Sequence, residues 1–522
     1  MEKVKKDLFR KYQIVKDTDK SDEVGVPAQY GYGVRHLQIS LLLLCLIVEF
    51  TSKSHLGVTI VAMTSGDNRS SKSDVLLSNN SLSNDKEGIL KNYTQSTVNE
   101  TIFSEEDKSW NVYRTYPWPK SVQEMALSSF TLGYVVMMFP MGAVVQRWGG
   151  KVALQIALLM NGVASIPIPW LTVWGGWKAL CVCRILQGFS QSGLSAAVHT
   201  IIANWVPLSE RCRAVGYIYV GPPVGIVVAF QLSGLLSSSS WGWPSIYWLT
   251  GIMNLGLFAA VSLFLAATPS QHKFISTAEK NFIIARVNTG LKPKQKIPWK
   301  ALVSSKPLWA VLVSDVCCVV ALTFFYQQLP TYFHHVLGVS IQSSGLLSSL
   351  PFIVSCFASM LYGTISDFLT NRNIISVRTA RIIFNSIGEF GIALCLTLSS
   401  FATSTTLATA CITTTVTLFA AVHAGGMLGY MDLAPNYIGP IMAIGNTVGY
   451  AMQLLTPVLV SHVVVDMTNQ LQWRTVLLVI SGMAFAGNVF YIIFISADTQ
   501  PWNDCHYATK ETEETKSLNG GT

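Results

Sequence analysis

The sequence predicts an all-α membrane protein with twelve transmembrane helices arranged as two six-helix bundles. Three observations carry this. Half of the 522 residues are hydrophobic and only 12% are charged, against about a quarter in soluble chains, and the mean hydropathy is +0.41. The apolar residues fall in long blocks, as bilayer-crossing helices of roughly 20 residues require. One polar stretch, about 268–305, divides those blocks six and six.

Composition also excludes alternatives. The net charge of +8 would suit nucleic acid, but basic loops gathered on one side of a membrane account for it better. Eight of the ten cysteines (Cys45, Cys181, Cys183, Cys317, Cys318, Cys356, Cys395, Cys411) sit in apolar stretches, and none lies in the long polar loop before residue 120. No disulfide framework is implied. Residues 1–36 are polar and charged, so the first apolar run starts too deep for a cleavable signal peptide. No phosphate-binding Gly-rich loop, metal-ligand spacing or nucleophile elbow occurs in a suitable context, so no enzyme, cofactor or metal site is expected.

In order, a polar tail (1–36) leads into span one near 37–63, and a polar loop (64–120) leads to span two near 121–145. Spans three to six follow near 151–172, 176–204, 212–237 and 243–267, completing a bundle over 37–267. Past the linker, spans seven to twelve lie near 308–332, 343–364, 379–400, 404–429, 436–463 and 474–496. They make a second bundle over 306–496, followed by a tail at 497–522. Some spans are rich in Gly, Ser and Thr, which lets helices approach closely in lipid.

Two signals orient the chain. The 64–120 loop carries four glycosylation sequons, at Asn68, Asn79, Asn92 and Asn99, and no other part of the chain has one. Four in one loop put it outside the cell or in a lumen. Basic residues crowd the opposite face: Arg147, Lys151, Arg211, Arg213, Arg372 and Arg378 in short loops, and eight more between Lys273 and Lys306. Both termini are therefore expected in the cytoplasm.

An internal repeat supports the two halves. After span two stands Gly142-Ala-Val-Val-Gln146-Arg147-Trp-Gly149-Gly150-Lys151; at the equivalent place after span eight stands Gly363-Thr-Ile-Ser-Asp367-Phe-Leu. In each, the glycine permits close helix approach and the polar residue four positions later can bind a neighbouring helix end. The bland alternative is an ordinary basic loop.

These residues resemble the loop signature of the major facilitator superfamily, and further motifs narrow the likeness. Trp118 to Lys151, Arg184-Ile-Leu-Gln-Gly188, Trp205-Val-Pro207-Leu-Ser-Glu210-Arg211, Leu329-Pro-Thr-Tyr332 and Leu347-Ser-Ser-Leu-Pro351 run in order. Asp432-Leu-Ala-Pro435-Asn-Tyr437 and Gly445-Asn446-Thr447 complete the series. Together they resemble the sialin, vesicular glutamate and type I sodium-dependent phosphate transporter family, most of all its inorganic phosphate cotransporter branch. The resemblance implies transport of small anions such as phosphate, urate, acidic sugars, glutamate or nucleotides, driven by sodium, protons or membrane potential.

Ionisable side chains inside spans are costly and so are functional candidates. Arg184, about eight residues or roughly 12 Å in from the outer end of span four, can grip a carboxylate or phosphate bidentately; the family has an anion-site arginine there. The alternative is a structural arginine bound to a helix end. Gln187 and Gln191 follow at i+3 and i+7 on one face. The family's proton-coupled members carry glutamate at the Gln191 position, and sialin also at Gln187; an amide cannot titrate.

In span one, Lys53-Ser-His55-Leu56 stands where the family has an arginine and Val-Asn-Leu. Lys53 keeps the charge without the planar fork. Glu49, one turn earlier, makes an i, i+4 pair with it in the favourable orientation. It either neutralises Lys53 or supplies a carboxylate for cation coupling. His55 and His199 read as hydrogen-bonded helix histidines or as proton carriers. Tyr326, Gln327 and Gln328 precede Pro330 as second-half contacts at a broken helix, Asn446 is a site-lining candidate, and Asp432 reads as structural. Cys318 and Leu127 replace an arginine and a histidine of the vesicular glutamate branch, which counts against glutamate as substrate. Tyr430 stands where sialin has a histidine.

The leading expectation is a secondary active transporter of inorganic phosphate or organic anions, sodium-coupled or potential-driven. It is expected to work by alternating access, as a monomer, in a plasma or vesicle membrane. Its partners are membrane lipid and a small anion, with no nucleic acid. Sodium or a proton is the candidate coupling ion. Two alternatives stand beside it: a proton-coupled exporter of acidic sugars from acidic vesicles, and a non-transporting membrane receptor.

Overall fold

The computed structural model describes residues 31, 33–64, 112–287, 298–402, 404–434, 437–496 and 498–503. Asn68, Asn79, Asn92 and Asn99 lie outside the described residues. Those described are helical, with no strand among them. Ten helices are long and apolar enough to cross a bilayer. Four precede the linker: Val34–Thr64, Lys120–Trp148, Arg213–Ser238 and Pro244–Phe264. Six follow it: Lys306–His335, Ile341–Thr370, Val377–Ser400, Thr405–Tyr430, Ile441–Val463 and Gln470–Phe494.

The stretch from Gly150 to Trp205 passes the same test as a bent pair. Within it Gly176 has φ 58° and ψ −148°, a conformation open to glycine. Two contacts show the chain doubling back there. Gly150 packs on Ala197 and Ile201, and Gln187 donates to the Ser165 hydroxyl at 2.7 Å. Both pairs are centred on Gly176, so 150–175 and 177–205 form an antiparallel hairpin of spans three and four. Among the described residues the spans then number twelve.

Local chemistry sets the helix ends. Ser340, Ser376, Ser404 and Asn469 cap spans eight, nine, ten and twelve, each side chain accepting a backbone N–H of the first turn, as N-cap residues do. Span one is capped from outside. Glu279, on the linker helix Thr277–Val287, accepts from the Val34 and Arg35 amides at 3.0 Å each. Arg35 in turn pairs with Glu210 at 3.1 Å.

Large apolar side chains face outward, among them Trp174, Phe139, Phe357 and Leu263. Such a surface belongs against lipid. Inside each half, glycine sets the spacing between helices. A Cβ at Gly188 would strike the Phe130 carbonyl and one at Gly133 the Ile185 carbonyl, so spans two and four touch backbone to backbone.

Two sequence expectations fail here. Span seven is one helix through Pro330, not a broken one. Proline leaves the carbonyl of residue i−4 without its donor, and that carbonyl, of Tyr326, lies against Gly57 of span one where a Cβ would sit 2.8 Å away. Nor do Gly142 and Gly363 bring helices together, because a Cβ at either would meet open space. Gln146, Arg147 and Asp367 are likewise exposed. Lys151 does bind a helix end, donating to the Ser262 carbonyl at 3.0 Å, and Gly149 turns the chain with φ 84°.

The halves meet on the face that holds Thr64 and Val112. Lys120 and Glu124 of span two form a buried ion pair at 2.7 Å, and both bond Gln328 of span seven, at 3.0 and 2.7 Å. Gln123 reaches Met467, and Gly234 packs on Gln342 and Gly345. Toward the linker side, a Cβ at Gly142 or at Gly363 would meet nothing within 4 Å, while Thr447 of span eleven reaches Met138 of span two at 3.5 Å.

Candidate functional site

The centre of the molecule is built where span one breaks. His55 interrupts the helix between Val34–Ser54 and Leu56–Thr64. The Ser52 and Lys53 carbonyls beside the break accept from the Arg184 guanidinium at 2.9 and 3.0 Å. A carbonyl-rich helix end carries partial negative charge and attracts a cation. Arg184 also donates to Gln187 at 3.3 Å and stands 5.0 Å over the Phe130 ring. It is 1% exposed, and its Nε has no partner among the described residues.

Lys53 crosses to the second half. Its ammonium donates to Gln453 of span eleven at 3.3 Å. It also lies 4.8, 5.3 and 5.6 Å from the ring centroids of Tyr450, Tyr326 and Phe50. Tyr326 donates to the same Gln453 oxygen at 3.0 Å. Three aromatic faces and an amide thus hold the ammonium, an arrangement worth about 2 kcal/mol or more per desolvated cation–π contact.

Among the described residues no carboxylate lies within ion-pair distance of Lys53; Glu49, expected to pair with it directly, acts on its charge only through space. Glu49 is buried beside the Tyr134–Tyr450 stack and Tyr219. The i, i+4 spacing made the pair available, but the rings and amide of the second half hold Lys53 instead.

The other candidates divide. Gln187 bridges Arg184 to Ser165. Gln191 is buried and its Oε1 has no partner among the described residues. His55 packs edge-on against Tyr247 at 4.9 Å with Thr59 3.4 Å from Nδ1. His199 is hydrogen-bonded to its own helix and to Tyr219. Asn446 is exposed and is not among the contacts of Lys53 or Arg184. Asp432 pairs with Arg381 at 2.7 Å.

Sequence reasoning missed Tyr450 and Gln453, which lie four and seven residues beyond Asn446 on its helical face, so the signal was within reach. It also missed the Lys120–Glu124 pair, although i, i+4 spacing at a span end announces it. Glu389 and Asp315 escaped as well. They are acids within spans nine and seven, the feature that marked Glu49.

Two six-span halves around a central, positively charged, water-poor site define a polytopic membrane transporter fold. The chain matches the Major Facilitator Superfamily over residues 42–457, and it belongs to that family. It is 31% identical over 395 residues to a Drosophila ananassae protein whose name assigns it provisionally to inorganic phosphate cotransport, covering 74% of this chain and 82% of that one. Human sialin is 29% identical over 396 residues, covering 75% and 79%. Mouse sodium-dependent phosphate transport protein 1 is 27% identical over 391 residues, covering 74% and 83%. Among solved structures, a D-xylose–proton symporter superposes with TM-score 0.62 at 14% identity, over 88% of this chain and 98% of that one. An inward-facing bacterial homologue of the lysosomal transporter Spinster gives 0.62 at 13% identity, over 90% and 100%. These two show the fold. The protein is accordingly an integral membrane transporter working in lipid on a small substrate.

Proposed function

We propose that this protein moves small anions, inorganic phosphate or organic anions, by alternating access of bundles 37–267 and 306–496 about the Lys53–Arg184 centre. One observation carries the reading: two buried cations, Lys53 and Arg184, stand near each other with no carboxylate among the described residues within ion-pair distance of either, Glu49 acting on Lys53 only through space. A buried positive centre of this kind is completed by an anion. The anion replaces the span-one carbonyls at Arg184 and the Gln453 amide at Lys53, so its arrival loosens both the break in span one and the bond between halves. Substrate binding and rearrangement are thereby one event.

Both termini are cytoplasmic and the 64–120 loop is outside or lumenal, so Lys120, Glu124 and Gln328 close the outward face. Gln187 and Gln191 offer no titratable group, which favours sodium or membrane potential as the driving force over a proton at span four. The protein works as a monomer in a plasma or vesicle membrane. The test is uptake of radiolabelled phosphate, urate, sialic acid and glutamate into proteoliposomes, with and without sodium, potential and a pH gradient. Potential- or sodium-dependent uptake of phosphate or an organic anion is expected. Binding without uptake of any of them would favour a receptor.

A further inference from the structure

We propose that Glu389, buried in span nine among Ser314, Cys318 and Asn385, is a proton-binding site whose occupancy fixes span seven against spans nine and twelve. The argument begins with a carboxyl that is 0% exposed and has no cationic partner among the described residues. Its Oε1 takes Ser314 Oγ and, at 3.5 Å, Cys318 Sγ. Its Oε2 has no hydrogen-bond partner among the described residues and lies against Gly487 of span twelve, where an added Cβ would sit 3.2 Å from it and 2.7 Å from Cys317 Sγ. Packing that close leaves no room for a hydrated or ligated metal cation. A proton needs none.

Counting hydrogens gives the same answer independently. Ser314 has one O–H but two oxygens to serve, Glu389 Oε1 and, at 3.2 Å, Asn385 Oδ1. Asn385 donates onward to Asn488 at 3.1 Å, and Asn488 donates to Ser386 at 3.1 Å. If Glu389 is ionised, it draws the Ser314 hydroxyl, a stronger donor than the Cys318 thiol beside it, and the buried Asn385 oxygen loses that bond. If Glu389 carries a proton, it donates to Ser314 Oγ, Ser314 donates to Asn385, and the chain from span seven through nine to twelve is complete. A buried polar group without a partner is costly, so losing the proton loosens span seven from its neighbours.

Span seven also carries Tyr326 and Gln328, which meet Gln453 beside Lys53 and the Lys120–Glu124 pair. Occupancy of Glu389 therefore reaches both the anion centre and the closed face. Other ionisable groups around it are Asp315, Cys317 and Cys318 on span seven and Tyr491 on span twelve. Arg381, two turns along span nine, is bound to Asp432. Asp315, half-buried and bonded to Tyr430 at 3.2 Å, is a carboxylate close enough to act on Glu389 and so an acceptor for a departing proton, which would pass from the Glu389 carboxyl to the Asp315 carboxylate.

Only the second of two readouts rests on the transport reading. The first is infrared difference spectroscopy of the full-length protein in lipid across pH. A protonated-carboxyl C=O band should titrate in wild type, vanish in Glu389→Gln, persist in Glu124→Gln, and change at a displaced pH in Ser314→Ala. The second is phosphate uptake into proteoliposomes, whose pH profile should flatten in Glu389→Gln. A wild-type spectrum with no titrating band sensitive to Glu389 overturns the proposal, as does an unchanged pH profile in a variant that has lost the band. If Glu389→Gln does not fold, the displaced titration in Ser314→Ala decides. A titrating Glu389 band in a protein that takes up no phosphate leaves the proton site standing and removes the substrate reading instead.

Discussion

Arg184 is the residue on which two roles converge. It satisfies two span-one carbonyls in this state and offers a fork for an oxyanion in another. Charge-assisted hydrogen bonds are worth about 1.5–3 kcal/mol each, so Arg184→Lys, which keeps the charge but not the fork, should raise the KM for anion uptake by roughly one to two powers of ten. Arg184→Ala should abolish uptake at normal surface expression; unimpaired uptake would remove Arg184 from the site. Glu49 and Lys53 call for a different expectation from the one their spacing suggests. Because Lys53 takes the Gln453 amide and three rings while Glu49 acts on it only through space, the expression losses of Glu49→Gln and Lys53→Gln should largely add in the double mutant. Rescue by the double mutant would instead show mutual neutralisation.

At the scale of elements, the contrast is between glycines that hold helices together and glycines that do not. Gly188 of span four meets the Phe130 carbonyl of span two, whereas Gly142 faces open space. Gly188→Ala should overpack the contact and cost about 1–3 kcal/mol, read as a lower Tm in detergent. Gly142→Ala should leave Tm unchanged or raise it, since alanine favours the helix by up to about 1 kcal/mol. A larger loss at Gly142 would mean that the open space beside it is not the resting arrangement. The loop signatures around Gly142 and Gly363 are legible as repeats, yet neither glycine makes a close helix contact here.

For the whole molecule, the decisive feature is the closed face where Lys120, Glu124 and Gln328 meet. Removing one partner of a buried ion pair costs about 3–5 kcal/mol. Glu124→Ala should therefore shift the population toward a state open on the loop face. The check is disulfide cross-linking between Gln123→Cys and Met467→Cys, two side chains in contact in the closed face, which should slow several-fold in the Glu124→Ala background. An unchanged rate would deny the pair any part in closure. Peptide-N-glycosidase should raise the gel mobility of protein expressed in a eukaryotic host. If Asn68, Asn79, Asn92 and Asn99 all proved unmodified, the orientation would have to be reconsidered.

Hydropathy was enough to find the spans near their observed limits, because each bilayer-crossing helix must be apolar along its whole length whatever its neighbours do. The ordered motifs were enough for the family, and depth along span four was enough to single out Arg184. Which partner each charged side chain takes was not legible. Lys53 had Glu49 one turn away in sequence, and only the packing of spans seven and eleven brought Tyr326, Tyr450 and Gln453 to it across 273 to 400 residues of chain. Glu389 has the same history: nothing near it in sequence announces Ser314, which the fold delivers from span seven. A helix fixes its own neighbours at three and four residues, but in lipid the choice among distant polar partners falls to whichever spans pack face to face.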